Sequence, residues 1–134
     1  MRPIPTTTAI LLALFVMSSS ADSAAVTKLN DAITAAKNGD TAQALTLLNG
    51  VISSSDLSGD DLAVAYYDRG MIYRSQNDNV KALADADMAI KLNPKYAEAF
   101  FNRGLAKRNR GDTEGSETDI AQAKELQPGI GATQ

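Results

Sequence analysis

Carboxylates carry most of the chain's potential for acid–base or metal chemistry, because it contains no cysteine and no histidine. That absence removes thiolate nucleophiles, disulfides, Cys–His zinc sites and every histidine-based triad or general base. Two close pairs are candidates, Asp60 with Asp61 and Asp85 with Asp87. Neither spacing converges on a helix, where residues three or four apart share a face and residues one or two apart do not. Asp60 and Asp61 fit the first turn of a helix, where the macrodipole favours negative charge. The stretch Asp56-Leu57-Ser58-Gly59-Asp60-Asp61 lacks the alternating ligands and closing glutamate of a calcium loop. No phosphate-cradling glycine loop, Ser-x-x-Lys or Gly-x-Ser-x-Gly pattern occurs. The expectation is a chain with no catalytic, metal or cofactor residues.

Charge and apolar surface remain. A net charge of −3 argues against nucleic acid and against anionic membrane surfaces, both of which ask for clustered Lys and Arg. The one basic stretch, Arg103, Lys107, Arg108 and Arg110, reads as a solvated helix face. Hydrophobic residues make up 44% of the chain but aromatics only 5%, with no tryptophan, so Ala and Leu must do the packing. Short side chains suit helices lying close together, whereas a β-sandwich wants more Val, Ile, Thr and Tyr.

The N-terminus reads as an address. Arg2 precedes an apolar run from Ala9 to Met17, followed by Ser18-Ser19-Ser20-Ala21, the order of a secretory signal peptide. The run is about half the ~20 residues of a spanning helix. Residues 1–21 are therefore expected to be removed, with cleavage after Ala21 or Ala25. Residues 22–134 remain as a soluble domain without a stable membrane anchor, in a bacterial periplasm or secreted. No cysteine follows the run to carry a lipid.

Beyond it the chain repeats. Ala65-Tyr66-Tyr67-Asp68-Arg69-Gly70 lies over Ala99-Phe100-Phe101-Asn102-Arg103-Gly104, 34 residues on, and Ile90 to Pro94 lies over Lys124 to Pro128 at the same offset. A weaker copy, Gly39 to Leu45, precedes them at two periods plus four residues from Gly111, the extra four falling in the Ser-rich segment 53–60. Helix starts are expected at Asp40 with Gln43, Ser58 with Asp61, Asp78, Asn93 before Pro94, and Asp112, with Gly39, Gly50, Gly59 and Gly111 as breaks. Six helices of roughly 12 to 16 residues follow, joined by short turns that force antiparallel neighbours. Gly70 and Gly104 fall inside helices at about 1 kcal/mol each against Ala, which points to close backbone contact between helices.

This pattern resembles the tetratricopeptide repeat, with its ~34-residue period, mid-helix Gly, later Ala and closing Pro. Gly70, Tyr73, Ala82, Ala89 and Pro94 match it, as do Gly104, Ala123 and Pro128, while Lys107 and Ser116 depart from it. The resemblance implies an all-α, right-handed superhelical stack of three antiparallel helix pairs, with repeats over residues 25–54, 63–96 and 97–130. It also implies a concave groove, lined by the first helix of each pair, in which a partner protein or peptide segment lies. By alignment the groove residues are Leu29, Ile33 and Lys37, then Tyr67, Met71 and Arg74, then Phe101, Asn102, Leu105 and Arg108. Where some relatives clamp a peptide's terminal carboxylate with Lys and Asn, this chain carries Leu29, Ile33, Asp68 and Glu98, and only Asn102 matches.

The expected function is thus a protein-binding adaptor and not an enzyme, with a self-associating scaffold as the alternative. In the third unit Glu117 and Lys124 replace the Leu83 and Ile90 of the second, and Lys28 and Asp31 stand where Tyr66 and Arg69 recur later. Polar ends of this kind suit a finished three-repeat monomer, in which Leu83 is covered and Glu117 is solvated.

Overall fold

Three-residue turns join the helices of each pair, and the chemistry of those turns repeats. Asp40, Asp78 and Asp112 accept from the backbone N–H of Gln43, Lys81 and Gly115 at 3.1, 3.2 and 2.8 Å, capping the helices that follow them. The residue before each aspartate, Gly39, Asn77 and Gly111, has a positive φ of 81, 62 and 85°. There the helix behind closes with paired backbone bonds, such as Asp78 N to Tyr73 O and Asn77 N to Arg74 O, leaving few carbonyls unpaired. An end and a start share consecutive residues, so each pair is forced antiparallel.

The computed structural model describes residues 23–132. It shows α1 (residues 23–37), α2 (Thr41–Ser54), α3 (Gly59–Ser75), α4 (Asn79–Leu92), α5 (Ala97–Asn109) and α6 (Thr113–Leu126), with no strand among the described residues. The expected signal peptide lies outside them. Three expected boundaries are corrected. Gly50 is no break but lies inside α2. Asn93 does not start α5; it ends α4 in an extended conformation, which the following proline imposes, and its Oδ1 accepts from Lys95 N at 3.0 Å within a turn that delays α5 to Ala97. Ser58 stands before α3 without a side-chain capping bond. The connection from α2 to α3 is residues 55–58, narrower than the 53–60 expected, and Leu57 pins it by burying itself at 5% exposure.

Among the described residues, thirteen of the eighteen buried apolar ones are alanines, so the helices meet at short distances. One core cluster joins Ala25, Leu29, Ala32 and Ala35 of α1 to Ala44, Leu48 and Val51 of α2 and to Ala65 and Ile72 of α3. Gly70 and Gly104 sit where the helices of a pair approach most closely. A Cβ on Gly104 would stand 3.0 Å from the Ser116 carbonyl oxygen, and one on Gly70 would stand 3.1 Å from Asp85 Cβ, so the cost of a helical glycine is offset by packing.

Helices α3 and α4 pair, as do α5 and α6, while α2 packs on α3 and α4 on α5 to stack the pairs. Contact also runs from α3 to α5, but not among α2, α4 and α6. First helices therefore crowd the inner side of the stack and second helices splay on the outer side. Glu117 and Lys124 are exposed on α6, as expected of a free end. Leu83 is only half-buried, beside Lys107 and Arg110, so it is not the covered core residue that the repeat pattern led us to expect.

Candidate partner-binding groove

On α3, Tyr67 and Met71 are four residues apart, and on α5 so are Phe101 and Leu105, so each pair stacks on one helix face. The two faces meet in an open groove of about 250 Å³, completed by Arg74, Asn102, Glu98 and Ile130. Six of the ten residues expected at the groove come together here: Tyr67, Met71, Arg74, Phe101, Asn102 and Leu105. Four do not. Leu29 is in the core at 3% exposure, because α2 and α3 cover the apolar face of α1, and Ile33 packs half-buried on the same cluster. Lys37 and Arg108 are exposed and lie off the lining.

Behind the groove, a repeated arginine bridge holds α3 and α5 in place. Arg69 of α3 grips Asp85 of α4 through Nε and Nη2 at 2.8 and 2.7 Å and donates from Nη1 to Asn49 of α2 at 3.0 Å. One period later Arg103 does the same with Asp119 of α6 at 2.8 and 2.7 Å and with Asp87 of α4 at 2.9 Å. Each arginine thus joins its own unit to the preceding one. Asp85 and Asp87 diverge onto different arginines, as their spacing required. Lys107 also reaches Asp119, at 2.9 Å. Burial opposes ionisation of Asp119, yet the hydrogen bonds from Arg103 and Lys107 prevail and hold its carboxyl below the usual value.

Within the groove Arg74 Nε donates to Asn102 Oδ1 at 2.6 Å. Asn102 is 3% exposed, and its Nδ2 meets no acceptor among the described residues. The Tyr67 and Tyr96 rings stand 5.0 Å apart, centroid to centroid. Burial, then the negative charges of Asp68 and Glu98, push the Tyr67 hydroxyl up to about 12, and burial raises Tyr96 as well. Burial also lifts the Asp68 carboxyl to about 6, against the opposing pull of Lys37.

Glu98 and Ile130 line the groove but were not among the ten residues expected there. Glu98 was legible, since it lies one turn before Phe101 and Asn102 on α5. Ile130 was not. It follows the last helix, and a turn through Gly131, at φ 73°, lays this segment against Phe101. Among the described residues no group of three or more acidic, His or Cys side chains could hold a metal, and no helix is long and apolar enough to cross a membrane.

The architecture has a close counterpart among solved structures. The second tetratricopeptide domain of Spaghetti (RPAP3), bound to the HSP90 peptide SRMEEVD, superimposes with a TM-score of 0.77 over 87% of this chain and 97% of that one, at 21% identity. The fold is that of a tetratricopeptide stack. A family model of the tetratricopeptide repeat matches residues 63–96, which hold most of α3, all of α4 and the turn to α5. No curated protein matches the chain. In this tetratricopeptide fold, α1, α3 and α5 are the first helices of the pairs, and the groove lies between the second and third of them.

Proposed function

We propose that this chain is an exported adaptor that docks an extended or helical segment of a partner protein in the groove between α3 and α5. One observation carries this reading: two successive units present a shared apolar wall, Tyr67, Met71, Phe101 and Leu105, beside the buried and unpaired Asn102 Nδ2. Apolar anchors with a few convergent polar groups are the usual make-up of a peptide site. The structural neighbour's peptide supports a polypeptide ligand. Covering the exposed parts of Phe101 and Met71 contributes roughly 25 cal/mol per Å² of apolar surface removed from water, before the costs of association.

Peptides selected from a random display library on residues 22–134 are the first probe. Phe101→Ala is expected to weaken such peptides by on the order of tenfold or more, and Met71→Ala, at a residue 36% exposed, is expected to weaken them while leaving the thermal midpoint nearly unchanged. Unchanged affinity in both Phe101→Ala and Met71→Ala would move the binding surface elsewhere. Export is tested separately by N-terminal sequencing of chain made in a bacterial host. A start after Ala21 or within the next few residues is expected, and an intact Met1 on soluble cytoplasmic protein would overturn it.

A further inference from the structure

The two buried carboxylates of the described residues are matched with donors, whereas the half-buried Asp68 has one shielded oxygen that is not. Asp85 takes two bonds from Arg69, and Asp119 is held by Arg103 and Lys107. Asp68 stands one period before Asn102, at the same place on α3 that Asn102 holds on α5. Its Oδ2 is shielded from solvent and has no hydrogen-bond partner among the described residues. Lys37 of α1 is the cation that acts on it, but Lys37 is exposed and makes no ion pair with Asp68. A desolvated carboxylate oxygen without a donor is costly in a folded chain, so Asp68, which is not itself in the groove lining but follows the lining residue Tyr67 directly in the chain, is poised for a donor from outside.

The surroundings say what kind of donor. Glu98 adds a negative charge at the groove, and the paired rings of Tyr67 and Tyr96 are in electrostatic reach of both Asp68 and Glu98. Two carboxylates and aromatic faces suit a cation. A ligand ending in a carboxylate would meet like charge there. The groove's own cation, Arg74, is six residues further along α3, roughly 9 Å by helical rise, and is tied to Asn102. Because Arg74 Nε can only donate, it fixes the Asn102 amide with Oδ1 inward and leaves Nδ2 in want of an acceptor.

We propose that the groove selects a partner segment bearing a lysine or arginine, whose cation pairs with Asp68 while a backbone carbonyl of the segment accepts from Asn102 Nδ2. This rests on the groove reading above and adds the charge of the occupant. The titration of Asp68 gives the proposal a pH signature. With its carboxyl lifted to about 6 and with Lys37, Arg74, Tyr67, Tyr96 and Glu98 as the neighbouring ionisable groups, the free protein holds a proton that the unfolded chain has already released. Its stability accordingly falls as pH rises from the ordinary carboxylate value to about 6, and a bound cation reverses that trend.

The test selects peptides from a random display library on wild-type protein and on Asp68→Asn, which copies the residue at the matching place on α5. Lys and Arg are expected to be enriched at one position by wild type and not by Asp68→Asn. A synthetic wild-type-selected peptide should bind Asp68→Asn on the order of tenfold more weakly. Its affinity for wild type should fall about tenfold between about pH 7.5 and about pH 5, with little change for Asp68→Asn. Phe101-dependent peptides without basic enrichment would overturn the charge proposal and leave the groove standing. Failure to select any peptide sensitive to Phe101→Ala would overturn both.

Discussion

Arg69→Leu is expected to destabilise the fold by about 3 to 5 kcal/mol, a large share of the stability of a domain this size. The side chain of Asp85 is only 6% exposed, and the two bonds from Arg69 are the ones it accepts. Removing the arginine leaves a buried carboxylate with no counter-ion, and it also breaks the bridge to Asn49 that ties the first unit to the second. Arg103→Leu is expected to cost less, although its geometry is nearly the same, because Lys107 remains 2.9 Å from Asp119. The double variant Arg69→Leu with Asp85→Leu should recover much of the loss, since the penalty comes from the unpaired charge rather than from the missing attraction. Urea denaturation of the four proteins checks this. Equal losses for Arg69→Leu and Arg103→Leu would show that the bridges work as point contacts and that Lys107 contributes nothing.

Leu48→Ala is expected to cost about 3 to 5 kcal/mol, the upper part of the range for a buried leucine. Leu48 is 0% exposed and is one of the few large side chains completely enclosed. The cost of such a truncation depends on how far the neighbours collapse into the space left. Here five of the other nine buried residues of its cluster are alanines, Ala25, Ala32, Ala35, Ala44 and Ala65, whose methyl groups have no rotamers with which to follow. The cavity therefore persists. It also sits where α1, α2 and α3 join, so the first unit should loosen ahead of the other two. Hydrogen exchange would show amides of α1 and α2 losing protection first. A loss below about 1 kcal/mol would mean that the helices close the gap by moving together.

Both results turn on how the units are joined, and the sequence was uneven in showing this. Helix-pair turns were legible because their chemistry is local: an aspartate caps the N–H three residues ahead, and a glycine or asparagine takes the left-handed turn before it. Gly70 and Gly104 declared a close helix contact by standing where a helix should not want them. Asn93 misled for a similarly local reason. Its proline neighbour suggested a start, whereas the extended backbone that proline demands ended one helix and postponed the next. The arginine bridges left a signal that can be read in hindsight, since Arg69 with Asp85 recurs as Arg103 with Asp119 one period later.

Residue order alone was enough for the class of fold, the number of helix pairs and the inner face of α3 and α5, because caps, turns and a 34-residue period act over distances of a few helical turns. Only the tertiary structure decided that Leu29 belongs to the core and not to the groove, that Ile130 returns to lie in the groove with Phe101, and that the shielded Oδ2 of Asp68 has no donor among the described residues. These depend on which surfaces the stack covers. Solvation of a side chain is set by every element packed around it, and the residue type and its sequence neighbours do not carry that information.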